Sequence, residues 1–168
     1  MRSFAALKGD GRGRVQLGDR LLFGLRAPSL DGKGYVVSVP VGELFAPGTG
    51  EAVGKPVVHQ LPLGKDTGIR DLAALPDGKL LVLSGPTLDQ SAVPYALSVY
   101  DPEERDLRWL ARLADVRAGN DGRRPSRAKA EAVTVLASDD DSLRVLVLFD
   151  GIQNGGPQEY RLRHPKAE

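Results

Sequence analysis

Short apolar runs separated by turn residues set the pattern of this chain. Residues 79–83 and 143–149 are rich in Leu and Val and bounded by turn formers, as strands buried on both faces are. Residues 69–75 precede the first run across Pro76-Asp77-Gly78, a tight turn in which Pro presets one φ and Gly permits a positive one. Residues 132–136 precede the second, and residues 137–142 turn the chain through Asp139, Asp140 and Asp141. Residues 57–63 and 107–113, which follow Tyr35 and Tyr95, are each apolar enough for a fourth strand. Helix is scarce: residues 41–45 and 127–130 each predict one turn and no more.

The same pattern recurs along the chain. Leu22-Phe23-Gly24-Leu25-Arg26-Ala27-Pro28-Ser29-Leu30-Asp31 aligns without a gap on Leu80-Leu81-Val82-Leu83-Ser84-Gly85-Pro86-Thr87-Leu88-Asp89, and Val145-Leu146-Val147-Leu148 opens a third copy. Tyr35, Tyr95 and Tyr160 follow at one apparent structural position, 60 and 65 residues apart, which points to a packing role. Four antiparallel strands per unit predict an all-β chain of about three propeller-like blades, at residues 13–63, 68–113 and 129–163 of a single domain 1–168. A sandwich with similar hairpins is the competing architecture. Residues 15–17 make only a short innermost strand for the first blade, and the third lacks a fourth strand unless residues 4–7 return to supply it. Three blades leave an open arc with two apolar faces. The arc is expected to be completed by a homo-oligomer or by missing N-terminal blades.

These residues also resemble a family of uncharacterised bacterial proteins catalogued as domain of unknown function 3616. The resemblance rests on Gly24–Lys33 as Gly-Leu-Arg-Ala-Pro-Ser-Leu-Asp-Gly-Lys, on Gly68-Ile69-Arg70-Asp71-Leu72-Ala73, and on Leu83-Ser84-Gly85-Pro86. It continues at Lys129-Ala130-Glu131-Ala132-Val133, where Ala130 and Ala132 replace the family's Pro and Gly and would loosen a turn. It spans about residues 15–163, in the order of the family's C-terminal half, and implies a propeller-like fold without an activity to carry over. A looser likeness to esterase-like phytases is fold-level analogy.

Composition narrows the chemistry. Of 168 residues, 41% are hydrophobic and 27% charged, an ordinary soluble composition, and 20 Gly with 12 Pro argue against a helical bundle. With 23 basic and 22 acidic side chains the net charge is +1, so no broad field steers nucleic acid or an anionic membrane. The absence of Cys excludes disulfides, thiolate metal sites and cysteine nucleophiles. No apolar run reaches the ~18 residues of a membrane span, and no export signal is present, so the cytoplasm is the default compartment.

Six charged residues stand where blade ends would form a channel mouth. Arg70 and Asp71 precede the inner strand of the second blade, Lys129 and Glu131 hold matching places in the third, and Arg26 and Asp150 follow second strands. Together they would orient a carboxylate, phosphate or cation. Alternatively, they form structural ion pairs between neighbouring blades. No metal and no cofactor is expected: the Asp139–Asp141 run lacks calcium-loop spacing and predicts a hairpin cap, and His59 and His164 lack further ligands. The glycine clusters at 9–13 and 50–55 are loops, and Arg117, Arg123, Arg124, Arg127 and Lys129 surround a connection at 119–126 with no aromatic for stacking bases. Whether the chain is an enzyme is left open. A binding or scaffold module is the leading expectation. An esterase- or phosphohydrolase-like enzyme using Asp71, Glu131 and Asp150 with Arg26, Arg70 and Lys129 is the alternative, and a fragment without independent function the third.

Overall fold

The computed structural model describes residues 13–44, 55–118 and 127–163. The first sheet takes β1 (Arg14–Leu17), β2 (Arg20–Leu30), β3 (Lys33–Pro40) and β4 (Val57–Pro62) in chain order. The second takes β5 (Thr67–Ala74), β6 (Leu80–Pro86), β7 (Ala96–Asp101) and β8 (Asp106–Arg112). The third has three strands, β9 (Lys129–Ser138), β10 (Ser142–Asp150) and β11 (Gln158–Arg163). Every pairing is antiparallel between chain neighbours, so each sheet is a meander. The β2–β3 hairpin turns on Asp31 and Gly32, whose φ angles of 51° and 72° match the right-handed twist of the flanking strands. One helical turn, α1 (Val41–Leu44), and a 3-10 turn at Gln153–Gly155 complete the described elements. No described helix is long and apolar enough to cross a membrane.

The second sheet lies between the other two. Ile69, Leu72, Leu80, Val82 and Tyr100 pack against Val15, Leu22, Val36 and Leu61 of the first sheet. Leu81, Leu83, Leu97 and Val99 pack against Val133, Val145, Val147 and Phe149 of the third. All seven residues of β6 are therefore buried, which explains an apolar run without alternation. Each fully buried Leu in such a layer contributes about 1.5–3 kcal/mol. The first two sheets approach closely where β2 faces β5. A Cβ at Gly24 would collide with the Ile69 side chain, and one at Gly68 with the Arg26 carbonyl.

Several expectations are corrected. Residues 127–130 form no helical turn: Arg127 bridges Arg117, and Lys129 opens β9. The segment around Ala130 and Ala132 is likewise strand, so no turn there is loosened. The first sheet does have a short innermost strand and the third, among the described residues, has three strands as expected, while the layering is not that of a two-layer sandwich. The gapless repeat does not superpose face on face: Gly24 packs towards the following sheet, whereas Val82, its partner in the alignment, packs towards the preceding one. A slip of one residue in a strand reverses the face, and β2 takes up its extra length where pairing is interrupted between Leu25 and Leu30. The three tyrosines accordingly occupy different places. Tyr35 pairs with Leu25, Tyr95 precedes β7 beside Gly85, and Tyr160 pairs with Val145, which makes it the counterpart of Tyr100 opposite Leu80. Residues 4–7, most of 9–13 and of 50–55, 119–126 and His164 lie outside the described residues.

Candidate functional site at the strand-end rim

Arg26, Arg70, Asp71, Lys129, Glu131 and Asp150 all lie at one end of the stacked sheets. Matching bulges position the central pair. Pairing passes from Ile69↔Ser84 to Asp71↔Leu83, so Arg70 is the extra residue of β5. It passes from Ala130↔Phe149 to Ala132↔Leu148 in the third sheet, so Glu131 is the extra residue of β9. A bulge re-aims the side chain it carries, and these two meet across the sheet interface as an ion pair.

Arg70 is 1% exposed, with Nη2 donating to Glu131 and Nη1 donating 3.0 Å to the Pro86 carbonyl. Its guanidinium lies 5.7 Å from the Tyr95 ring centroid, and that of Arg127 lies 4.6 Å from it. Asp71 Oδ2 accepts 2.8 Å from the Val133 backbone N–H, a second tie between β5 and β9. Arg26 donates 3.1 Å to the Thr87 carbonyl, and Lys129 pairs with Asp89 at 2.8 Å. The lysine, first by hydrogen bond and then by charge, holds the Asp89 carboxyl below its ordinary value, with Arg26 and Arg70 adding to the effect. Asp150 is the register partner of Lys129, and its Oδ1 accepts 2.8 Å from the Gly151 N–H. Asp139 accepts from the Asp141 and Ser142 N–H groups at 3.1 and 2.7 Å, capping the β9–β10 turn.

Of the six residues, Arg70 and Glu131 are joined directly to one another. The other four are tied to backbone or to residues the sequence did not single out, chiefly Asp89 and Thr87. A recess of about 380 Å³ opens beside the pair, lined by Tyr95, Arg127, Lys129, Asp89, Gln90 and Leu88 among others. Arg127 donates 2.7 Å to the Val93 carbonyl and lies 2.8 Å from Asp115 Oδ1. Burial raises the Tyr95 hydroxyl above its ordinary pKa, keeping its proton, with the neighbouring arginines opposing. Arg70 Nε and Arg127 Nη2 are buried without an acceptor among the described residues. The recess is thus a charged, aromatic pocket built from groups otherwise engaged in joining sheets. Among the described residues no three His, Asp or Glu side chains gather as metal ligands would.

A family model described as Protein of unknown function (DUF3616) matches residues 10–166, nearly the whole chain and slightly beyond the 15–163 of the sequence resemblance. The chain belongs to this family. Neither a curated protein nor a solved structure matches it. Three of the four family-like segments of this DUF3616 member serve the interface just described: Gly24 and Gly68 permit close approach, Arg70 and Asp71 cross to the third sheet, and Glu131 receives Arg70. Tyr95 and Arg127 were given packing and loop roles from sequence. Their proximity joins residues 32 apart in the chain, with no local signal to reveal it.

Proposed function

We propose that this chain is a binding or scaffold module, a propeller-like arc whose exposed sheet face is covered by a second copy or by further blades of a longer chain. The observation that carries this is the outer face of the first sheet. Leu22, Val36 and Leu61 face the second sheet, so alternation turns Leu21, Phe23, Leu25, Tyr35, Val37 and Val39 the other way. Register places Leu21 beside Val39, Phe23 beside Val37 and Leu25 beside Tyr35, with Val58, 54% exposed, next to Val37. This ladder has no covering layer among the described residues. The corresponding outer face of the third sheet is mixed: Leu146 and Leu148 share it with the Arg144–Glu159 ion pair and Arg161.

An esterase- or phosphohydrolase-like role has less support, because Asp71 and Glu131 are engaged with the Val133 N–H and Arg70. The rim recess is better suited to holding a ligand group than to activating a nucleophile. Light scattering of the whole chain over a concentration series tests the module. Self-association is expected, weakened at least tenfold by Phe23→Lys, which places a charge in the apolar ladder. A chain monomeric at every concentration, with stability unchanged by Phe23→Lys, would sink it.

A further inference from the structure

We infer that the cleft between the first two sheets, at the strand ends opposite the Arg70 rim, binds the phosphate-type oxyanion head group of a small molecule through Arg20, Arg105 and His59. The cleft measures about 610 Å³ and is bounded by the β1–β2, β5–β6 and β7–β8 turns. This leaves room for a phosphate and the body that carries it.

Each donor comes from a different element. Arg20 opens β2, where its Nε donates 2.6 Å to the Ser38 hydroxyl and Nη2 donates 3.0 Å to the Ser38 carbonyl. The two bonds hold the guanidinium in place without neutralising it, for Arg20 makes no ion pair among the described residues. Arg105 lies exposed in the β7–β8 turn at a φ of 58°, also without an ion pair there. Asp101 accepts the Glu103 and Glu104 N–H groups, and Asp106 pairs with Arg108 at 2.7 Å. His59 is 9% exposed on β4, and its Nδ1 lies 2.9 Å from the Tyr100 hydroxyl. Burial keeps the proton on Tyr100. If that hydroxyl donates to Nδ1, the neutral imidazole carries its proton on Nε2 and supplies a third donor.

Asp19 and Glu103 also line the cleft. Yet the charges felt at His59 are those of Arg105 and Arg20, which add to burial in lowering its pKa. Arg105 and Arg20 thus act together on the imidazole that faces the cleft. Two guanidiniums with a neutral imidazole donor suit a phosphate, whose several oxygens accept from all three.

The His59 imidazole reports on the site by nitrogen NMR, and the sequence has one other histidine, His164, to serve as a control. Titration of the full chain with inorganic phosphate is expected to shift His59 saturably, at millimolar concentrations or below, and to raise its pKa while His164 stays put. Arg105→Gln, an exposed turn substitution, should weaken the response about tenfold, the worth of one charge-assisted hydrogen bond. Arg20→Gln should do the same if the variant folds. The absence of a saturable shift, an equal shift in His164, or an undiminished response in Arg105→Gln would overturn the site. Succinate binding as tightly as phosphate would overturn the phosphate assignment.

Discussion

Arg70 carries a full charge into a space that water does not reach, and Glu131 makes that tolerable. A buried pair of this kind adds little by existing and costs a great deal when halved, because the remaining charge stays desolvated. Glu131→Ala is expected to lower stability by about 3–5 kcal/mol, measured as the midpoint of urea unfolding. Glu131→Gln, which keeps an acceptor oxygen, should cost less, and equal losses would show that the charge alone, not the acceptor oxygen, carries the effect. The sequence marked both residues as charged groups ahead of apolar runs. Their pairing was not legible there, because they lie 61 positions apart and meet only through bulges that no composition reveals. Asp71 was a candidate base, and its use as an acceptor for a backbone N–H is equally a matter of geometry. At His59, burial first, then Arg105 and Arg20, hold the imidazole below its ordinary pKa. As pH falls below about 6.5, the unfolded chain takes up a proton that the native state does not. Stability should therefore decline from about pH 6.5 down to the lower native value, less so in His59→Gln, as urea midpoints at about pH 7.5 and 5.5 would show.

At the scale of elements, the strands follow from sequence and their mutual approach does not. The apolar runs at 69–75, 79–83 and 143–149 are the strands β5, β6 and β10 within a few residues, because burial, on both faces in β5 and β6 and on alternate positions in β10, leaves its mark on side-chain type. Gly24 and Gly68, which in sequence stand out only as parts of the family-like segments, acquire their purpose from the neighbouring sheet. Gly68→Ala would drive a methyl into the backbone carbonyl of Arg26, which cannot swing aside as a side chain would. The expected loss is about 1–3 kcal/mol or more, read by thermal or chemical unfolding. Gly42→Ala, with open space around it, should be neutral or slightly stabilising. The slipped repeat belongs to this scale as well. Letters match between residues 22–31 and 80–89, but faces do not: Gly24 packs towards the following sheet and Val82 towards the preceding one.

For the whole molecule, the central sheet should be the last part to open. Both of its faces are buried, whereas β1 is short and β11 borders a sheet with one open face. Native-state hydrogen exchange is expected to find the slowest amides in β5 and β6 and the fastest in β1 and β11; uniform protection across the three sheets would contradict the layered core. The sequence by itself determined that the chain is all-β, where its strands fall, and that charged residues collect at strand ends. Those properties are local, written in alternation, turn chemistry and composition. Only the tertiary structure decided which face each strand presents, that Arg70 meets Glu131, that Tyr95 lies beside two guanidiniums, and that Arg20, Arg105 and His59 share a cleft. Each of these depends on register and on the stacking of separate sheets, where a shift of one residue or a bulge changes every neighbour while leaving the sequence pattern intact.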